Sequence, residues 1–108
     1  MNTMILVYIS CENKEQAEKI GSILTRDRLA ACVQITQSVT SMFLWPPKEH
    51  TVTKVEETLL MVKTLESKWE QLDEQVRKNH TYDTPEIIAI PAIHVSKKYL
   101  NWLTEELT

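Results

Sequence analysis

The chain has 108 residues, the length of one domain, which we expect to span residues 1–108. Its hydrophobic content of 43% and charged content of 25% are typical of a globular protein, and a net charge of -3 lacks the basic surplus that binding to nucleic acid or anionic membranes requires. With a single glycine, the chain cannot form the glycine-rich loops that hold nucleotide phosphates.

The start of the chain and its two cysteines bear on its compartment. The first apolar run, Ile5 to Ile9, is short and follows no basic segment, so no signal peptide is predicted. Cys11 and Cys32 form no CxxC pair and are too few for a disulfide framework, which favours a reducing compartment. No apolar stretch approaches the length of a membrane span. We therefore expect a cytoplasmic protein without nucleic-acid or membrane partners.

The N-terminal half predicts a strand, a helix and a long strand. Residues 4–10 are apolar and β-branched, as in a central strand. Asn13 and Gln16 form a capping-box pattern before a helix over residues 14–28. Residues 31–45 predict a strand, because apolar residues fall on alternate positions: Val33, Ile35, Val39 and Phe43. Polar residues at the same spacing indicate a bend midway, namely Gln37 and Ser41.

The C-terminal half predicts the return strand, two helices and a last strand. Trp45-Pro46-Pro47 ends the long strand because proline cannot continue a ladder, and residues 51–64 predict a second long strand that completes an overlong hairpin. Ser67 and Glu70 form a second capping-box pattern before a helix. After a loop over residues 80–85, the pattern indicates a short strand over residues 86–93 and a terminal helix that Ser96 caps.

This element order predicts an α+β fold: a ferredoxin-like βαββαβ sandwich with its helices on one face of an antiparallel sheet, an extended central hairpin and an added C-terminal helix. The hairpin is longer than so small a sheet can cover, and its tip over residues 43–47 is apolar. An exposed apolar tip and unpaired strand edges promote aggregation unless another chain covers them. We therefore expect a closed symmetric homo-oligomer.

Five strings, in order across almost the whole chain, resemble those of the CutA family of divalent-cation tolerance proteins. They are LAACV at 29–33, SMFLW at 41–45, Glu57 with LMVKT at 60–64, HTYDTPE at 80–86 and YLNW at 99–102. The chain departs from the family at several points: Trp45-Pro46-Pro47 replaces a W-x-G turn, Phe43 a tyrosine and Thr81 a proline. Ile9 and Asn79 stand where some members carry a cysteine and a second histidine.

The resemblance implies a homotrimer of ferredoxin-like subunits that takes part in divalent-cation tolerance, is not an enzyme and requires no cofactor. It implies copper or another divalent metal ion, or a small anion, as the ligand. It also implies ligand clefts between subunits, and its motif residues there would be Cys32, Trp45, Glu57, Lys63, His80, Tyr82, Pro85 and Glu86.

Ligand chemistry singles out a few residues independently. His80 is the first candidate metal ligand, because neutral imidazole binds metals well and it lies in a loop three residues before Asp83. A histidine there could instead cap the preceding helix. Cys11, which we expect to be accessible beyond the first strand, Cys32 and Asp83 are the further candidates, although a strand cysteine such as Cys32 could be a small hydrophobic core residue.

Charged and aromatic residues on the strands leave two interpretations open. Glu57 and Lys63 share a strand face and either form an ion pair or line a pocket. Trp69 and Trp102 are expected in the core, whereas Trp45 is expected at an interface.

Three functions are compatible with this fold. A binding or sensing trimer and a purely structural, anchoring trimer fit the sequence equally well. An acylphosphatase-type hydrolase, which the same fold supports, needs an anion-binding loop with an arginine after the first strand. Residues 10–13 contain no glycine and no arginine and include an acid, which argues against this enzyme.

Overall fold

Four strands and three α-helices follow one another in the computed structural model, which describes residues 2–108. A short 3-10 helix, Glu66–Lys68, precedes the second α-helix. The elements are β1 (Met4–Cys11), α1 (Lys14–Arg26), β2 (Cys32–Leu44), β3 (Val52–Leu65), α2 (Trp69–Asn79), β4 (Ile87–Pro91) and α3 (Lys97–Leu107). The strands form one antiparallel sheet in the order β2-β3-β1-β4, which confirms the ferredoxin-like α+β prediction.

Helices α1 and α2 cover one side of the sheet, which we call the helical face. Alternate residues of β1 and β3 point into it and pack against both helices, with Val7, Ile9, Leu60, Ile20 and Leu72 at the centre of this core. The only glycine of the chain, Gly21, lies on the inner side of α1. A Cβ atom there would come within 3.1 Å of the Val33 side chain, so glycine allows α1 to approach the sheet closely.

Helix α3 packs on the opposite side, which we call the open face. Met4 and Leu65 are neighbours in the β1–β3 ladder, and both contact α3 through Leu103 and Leu107. The prediction that the helices lie on one face therefore holds for α1 and α2 only. Because α3 covers only one end of the open face, the rest of this face carries partly exposed apolar side chains, including Ile88, which is 49% exposed.

Two of the three predicted helix caps differ from expectation. Asn13 Oδ1 accepts a hydrogen bond from the Gln16 N–H at 2.9 Å, which confirms the first cap. Ser67 lies inside the 3-10 helix, where the Asn2 side chain bonds both its hydroxyl and its N–H, so α2 begins later, at Trp69. Ser96 stands at the N-cap of α3, but its side chain makes no capping bond.

The β2–β3 hairpin extends far beyond the other strands and gives the molecule a long axis of 46 Å. A bulge interrupts its register between Thr36 and Val39, and Ser38 within it has a φ of 58°. One extra residue reverses the alternation of side chains beyond the bulge. Val33 and Ile35 therefore pack on the helical face, whereas Val39 and Phe43 lie on the open face. The predicted bend is confirmed. The alternation suggested that all four of these side chains share one face of the strand, and this is wrong.

Candidate functional site

An open groove of about 670 Å³ lies on the open face, at the end of the sheet that α3 leaves uncovered. One wall is the part of the projecting hairpin beyond the bulge, and the loop over residues 80–86 forms the other wall. The hairpin contributes Ser41, Met42, Phe43, Trp45, Thr53, Val55 and Glu57, and the other lining residues are Ser10, Tyr82, Asp83, Thr84 and Glu86.

Glu57 is the buried charge of this groove. Its residue is only 8% exposed, and its Oε2 accepts a hydrogen bond from the Tyr82 hydroxyl at 2.8 Å. Among residues 2–108, Glu57 forms no salt bridge, and Oε1 accepts no hydrogen bond. Among the side chains of residues 2–108, Tyr82 is thus the one that binds this carboxylate.

Tyr82 keeps its proton at this position. Burial raises the pKa of the Tyr82 hydroxyl well above its ordinary range, and the hydrogen bond to Glu57 and the charge of that carboxylate raise the pKa further. The hydroxyl is therefore a donor throughout the physiological pH range, and it ties the loop to β3.

His80 anchors the same loop to the end of β1. Its Nδ1 accepts a hydrogen bond from the Tyr82 N–H at 3.1 Å, so the proton resides on Nε2, which donates to the Ser10 carbonyl oxygen at 2.6 Å. Ser10 is bound a second time, because its hydroxyl donates to Glu86 Oε1 at 2.5 Å. Both ring nitrogens of His80 are thus engaged, and a metal ion at His80 would have to replace one of these bonds.

Cys11 does not lie where the sequence suggested. The strand β1 is one residue longer than predicted and ends with Cys11, whose side chain points into the helical core and is fully buried. Burial, followed by the charge of Glu57, raises the pKa of the Cys11 thiol to about 11. The expectation of an accessible thiol is therefore wrong.

Cys32 and Lys63 lie far from the groove, at the α3 end of the open face. They are opposite each other in the β2–β3 ladder, and Lys63 Nζ lies 5.8 Å from the centre of the Tyr99 ring. Burial, followed by the neighbouring Cys32 thiol, raises the pKa of Tyr99. Within residues 2–108, Glu57 and Lys63 therefore form neither an ion pair nor a shared pocket, although they do lie on one face.

The remaining candidates divide between the groove and its surroundings. Trp45, Asp83 and Glu86 line the groove. Pro85 is half-buried within the same loop but does not line it. Trp102, expected in the core, is 42% exposed. Its ring centre lies 5.5 Å from that of Tyr99, the residue α3 places beside Lys63.

Trp69 packs against the helical core as expected.

The sequence interpretation missed Ser10, Thr53 and Val55 as groove residues. Ser10 carries a weak signal, since it follows Leu6 and Tyr8 on the side of β1 that faces away from α1. Val55 carries none, because its neighbours across the hairpin depend on the bulge. Within residues 2–108, no group of three or more His, Cys, Asp or Glu side chains could hold a metal ion. None of the helices in this range is long and apolar enough to cross a membrane.

Comparison with known proteins gives one consistent result. A family model described as "CutA1 divalent ion tolerance protein" matches residues 5–106. The chain is 38% identical over 100 residues to the "Divalent-cation tolerance protein CutA" of Thermus thermophilus, with 93% of this chain and 94% of that protein covered. It is 41% identical over 99 residues to the "Protein CutA, chloroplastic" of Arabidopsis thaliana, with 92% of this chain covered but only 53% of that relative. The chain thus spans about half the length of this plant relative.

Solved structures agree with the sequence comparison. The crystal structure of CutA1 from Oryza sativa matches with a TM-score of 0.92 at 38% identity, covering 98% of this chain and 94% of that chain. The structure of the "Periplasmic divalent cation tolerance protein CutA" from Archaeoglobus fulgidus matches with a TM-score of 0.91 at 33% identity, covering 97% and 99% of the two chains.

Proposed function

Because the chain belongs to the CutA1 divalent ion tolerance protein family, we propose that it acts in the tolerance of divalent metal ions as a homotrimer that binds ligands and catalyses no reaction. The groove is its ligand site, and a neighbouring subunit completes it. Two polar contacts support binding rather than catalysis. His80 bonds the carbonyl oxygen of Ser10 and not its hydroxyl, which donates to Glu86, so His80 does not activate Ser10 as a nucleophile.

The observation that carries the trimer proposal is the exposed apolar surface of the hairpin. Five large side chains there, on both faces of the ribbon, are between 39% and 67% exposed: Met42, Phe43, Leu44, Trp45 and Val52. Ile88 and Ile90 extend this surface across the open face. A monomer rarely exposes so much contiguous apolar surface, whereas a closed ring of identical subunits would cover it.

The oligomeric state is tested by light scattering coupled to size-exclusion chromatography. We expect a mass of about 38 kDa, three times the 12.6 kDa of the chain. A mass near that of one chain at micromolar concentration would refute the trimer. Trp45→Ala should shift the mass toward smaller species, whereas Trp102→Ala, which changes an exposed ring on α3, should leave it unchanged.

Metal binding is proposed to involve His80, in the loop beside the groove, with Asp83, which lines the groove three residues later, as a further ligand. Cu²⁺ prefers imidazole, and one histidine from each of three subunits could supply several ligands from a single residue. The bond between His80 and either Ser10 or Tyr82 would open when the metal binds. Cys11 and Cys32 are proposed only as thiolate ligands for Cu⁺. The burial of Cys11 makes it the less accessible of the two.

Isothermal titration with Cu²⁺ tests this proposal, with His80→Ala beside wild type and His94→Ala, an exposed histidine outside the groove, as the matched control. We expect binding in wild type and in the control, weakening between about pH 7.5 and about pH 5.5 because imidazole must be neutral to bind a metal. Binding by His80→Ala as tight as wild type at both pH values would remove His80 from the site and favour the anchoring role.

The compartment is proposed to be the cytoplasm, because the sequence predicts no signal peptide and its two cysteines favour a reducing compartment. The relatives differ in this respect, since the Arabidopsis protein is named chloroplastic and the Archaeoglobus protein periplasmic. Cell fractionation of the natural producer, followed by detection of the chain in each fraction, tests the assignment.

A further inference from the structure

The loop over residues 80–86, which we call the strap, is held to the rest of the subunit by its side chains. None of its residues is fully buried, and only His80, Tyr82 and Pro85 are half-buried. No backbone–backbone hydrogen bond involves the strap in the part of the chain that the structure describes. A segment with few buried contacts and no backbone ladder can open locally while the rest of the fold stays intact.

In its closed position, the strap occupies the polar groups of the groove. The Tyr82 hydroxyl donates to the Glu57 carboxylate, and His80 Nε2 donates to the Ser10 carbonyl oxygen. The Ser10 hydroxyl in turn donates to Glu86 at the end of the strap. Among residues 2–108, every buried side-chain nitrogen and oxygen has a hydrogen-bond partner. A polar ligand that enters the groove must therefore compete with the bonds that the strap makes.

A further hydrogen bond holds the strap from outside the groove. Gln16 Nε2 donates to the Thr81 hydroxyl at 2.7 Å, and this hydroxyl lies 3.4 Å from Glu12 Oε2. Gln16 is only 8% exposed, its Oε1 accepts the Glu12 N–H at 2.8 Å, and its own N–H donates to Asn13. Because the start of α1 fixes Gln16 in this way, its side chain is a rigid anchor for the strap.

We propose that the strap is an autoinhibitory element, which opens as a unit when Thr81 leaves Gln16 and which blocks the polar groups of the groove while it is closed. Opening frees Glu57, Ser10 and the Nε2 atom of His80 together, because neighbouring residues of one short segment bond all three. The consequence for ligands rests on the groove being a ligand site, as proposed above. The opening itself depends on neither trimer formation nor metal binding.

Amide hydrogen exchange of the full chain, followed residue by residue by NMR, tests the opening. The reporter is the Tyr82 N–H, which bonds His80 Nδ1 at 3.1 Å, and the reference is the N–H of Val7 in the central strand β1. We expect Tyr82 to exchange through a local opening whose rate hardly changes in dilute guanidinium. Val7 should exchange only through global unfolding, which the denaturant accelerates steeply.

Thr81→Val removes the hydroxyl with the shape of the side chain retained, and it should speed the exchange of Tyr82 by about 5-fold, as expected for the loss of one hydrogen bond. Thr81→Ser keeps the hydroxyl and should stay within about 2-fold of wild type. The matched control is Thr84→Val, because Thr84 is exposed in the same strap and its hydroxyl makes no hydrogen bond within residues 2–108. Gln16→Ala should also speed exchange, and adding Thr81→Val to it should have no further effect, since both remove the same bond.

Isothermal titration with Cu²⁺ measures the consequence for the groove. If the closed strap blocks His80, Thr81→Val should bind Cu²⁺ about 5-fold more tightly than wild type, because the open form is then more populated before the ion arrives. Thr81→Ser should bind like wild type.

The inference is overturned if Tyr82 exchanges only through global unfolding. It is also overturned if Thr81→Val speeds the exchange of Val7 but not of Tyr82, because the bond to Gln16 would then survive the local opening. Binding of Cu²⁺ by Thr81→Val no tighter than by wild type would show that the strap does not block the site. If no variant binds Cu²⁺, the metal proposal fails, and the exchange rates of Tyr82 alone decide whether the strap opens as inferred.

Discussion

The hydrogen bond between Tyr82 and Glu57 should contribute measurably to stability, and Tyr82→Phe removes it with the ring retained. Glu57 is 8% exposed and the bond is 2.8 Å long, so the acceptor left behind is a buried carboxylate that has lost its only hydrogen bond within residues 2–108. A hydrogen bond to a charged group contributes about 1.5–3 kcal/mol. Because Tyr82 itself is only half-buried, water can reach the vacated oxygen, and we expect the lower part of that range, about 1.5–2 kcal/mol.

Guanidinium denaturation followed by far-UV circular dichroism, at one fixed protein concentration, measures this change in the free energy of unfolding. Tyr8→Phe is the matched control, because Tyr8 is half-buried on the open face and its hydroxyl makes no hydrogen bond within residues 2–108. We expect the control to change stability by less than about 0.5 kcal/mol. Equal effects of the two substitutions would refute the reasoning.

The same bond has a pH signature. The pKa of Tyr82 is raised in the folded state, so the stability it contributes is fully present below the pKa of an unfolded tyrosine, about 10, and is lost as pH rises above that value toward the folded pKa. Wild type should therefore lose stability above about pH 10 more steeply than Tyr82→Phe. Parallel alkaline profiles of the two proteins would contradict the raised pKa.

Three further predictions test the fold. Asn13→Ala should lower the free energy of unfolding by about 1 kcal/mol because it removes a helix cap, whereas Asn13→Asp should restore it. In a Cys32→Ser variant, Cys11 should not react with a thiol reagent at about pH 8 until the protein unfolds, since a pKa raised from 9.0 to about 11 leaves little thiolate and the side chain is inaccessible; rapid labelling of the native protein would contradict this. Thr64→Val should cost about 1–2 kcal/mol because the fully buried hydroxyl donates to the Leu29 carbonyl at 2.7 Å, and Thr64→Ser, which keeps the hydroxyl, should cost less.

Local patterns in the sequence predicted most of the elements. The alternation and β-branching of the strands, and the Asn13 cap with its apolar helical spacing, depend on residues close together in the chain. The order of these elements leaves few ways to form one sheet, which is why the ferredoxin-like arrangement could be predicted from it; the structure adds the strand order β2-β3-β1-β4. The family resemblance could also be stated from the sequence, because it rests on short strings of neighbouring residues.

Misplaced caps show where local patterns fail. The pattern of Ser67 and Glu70 is a good capping box by sequence, yet Asn2, 65 residues away, bonds Ser67 and places it in a 3-10 turn. Cys11 likewise appeared to follow a strand that in fact includes it and turns its thiol into the core. In both cases a partner distant in sequence decided the outcome.

The sequence by itself determined the set of chemical groups: an acidic residue on a long strand, a loop with histidine and tyrosine, and a tryptophan at the hairpin tip. Only the tertiary structure decided which of them meet. One extra residue at the β2 bulge turns Phe43 to the open face, while the length of β3 carries Lys63 to the far end of the sheet from Glu57. The physical reason is that a strand fixes the side of each residue only relative to its neighbours, so register, bulges and the packing of α3 determine which side chains share a site.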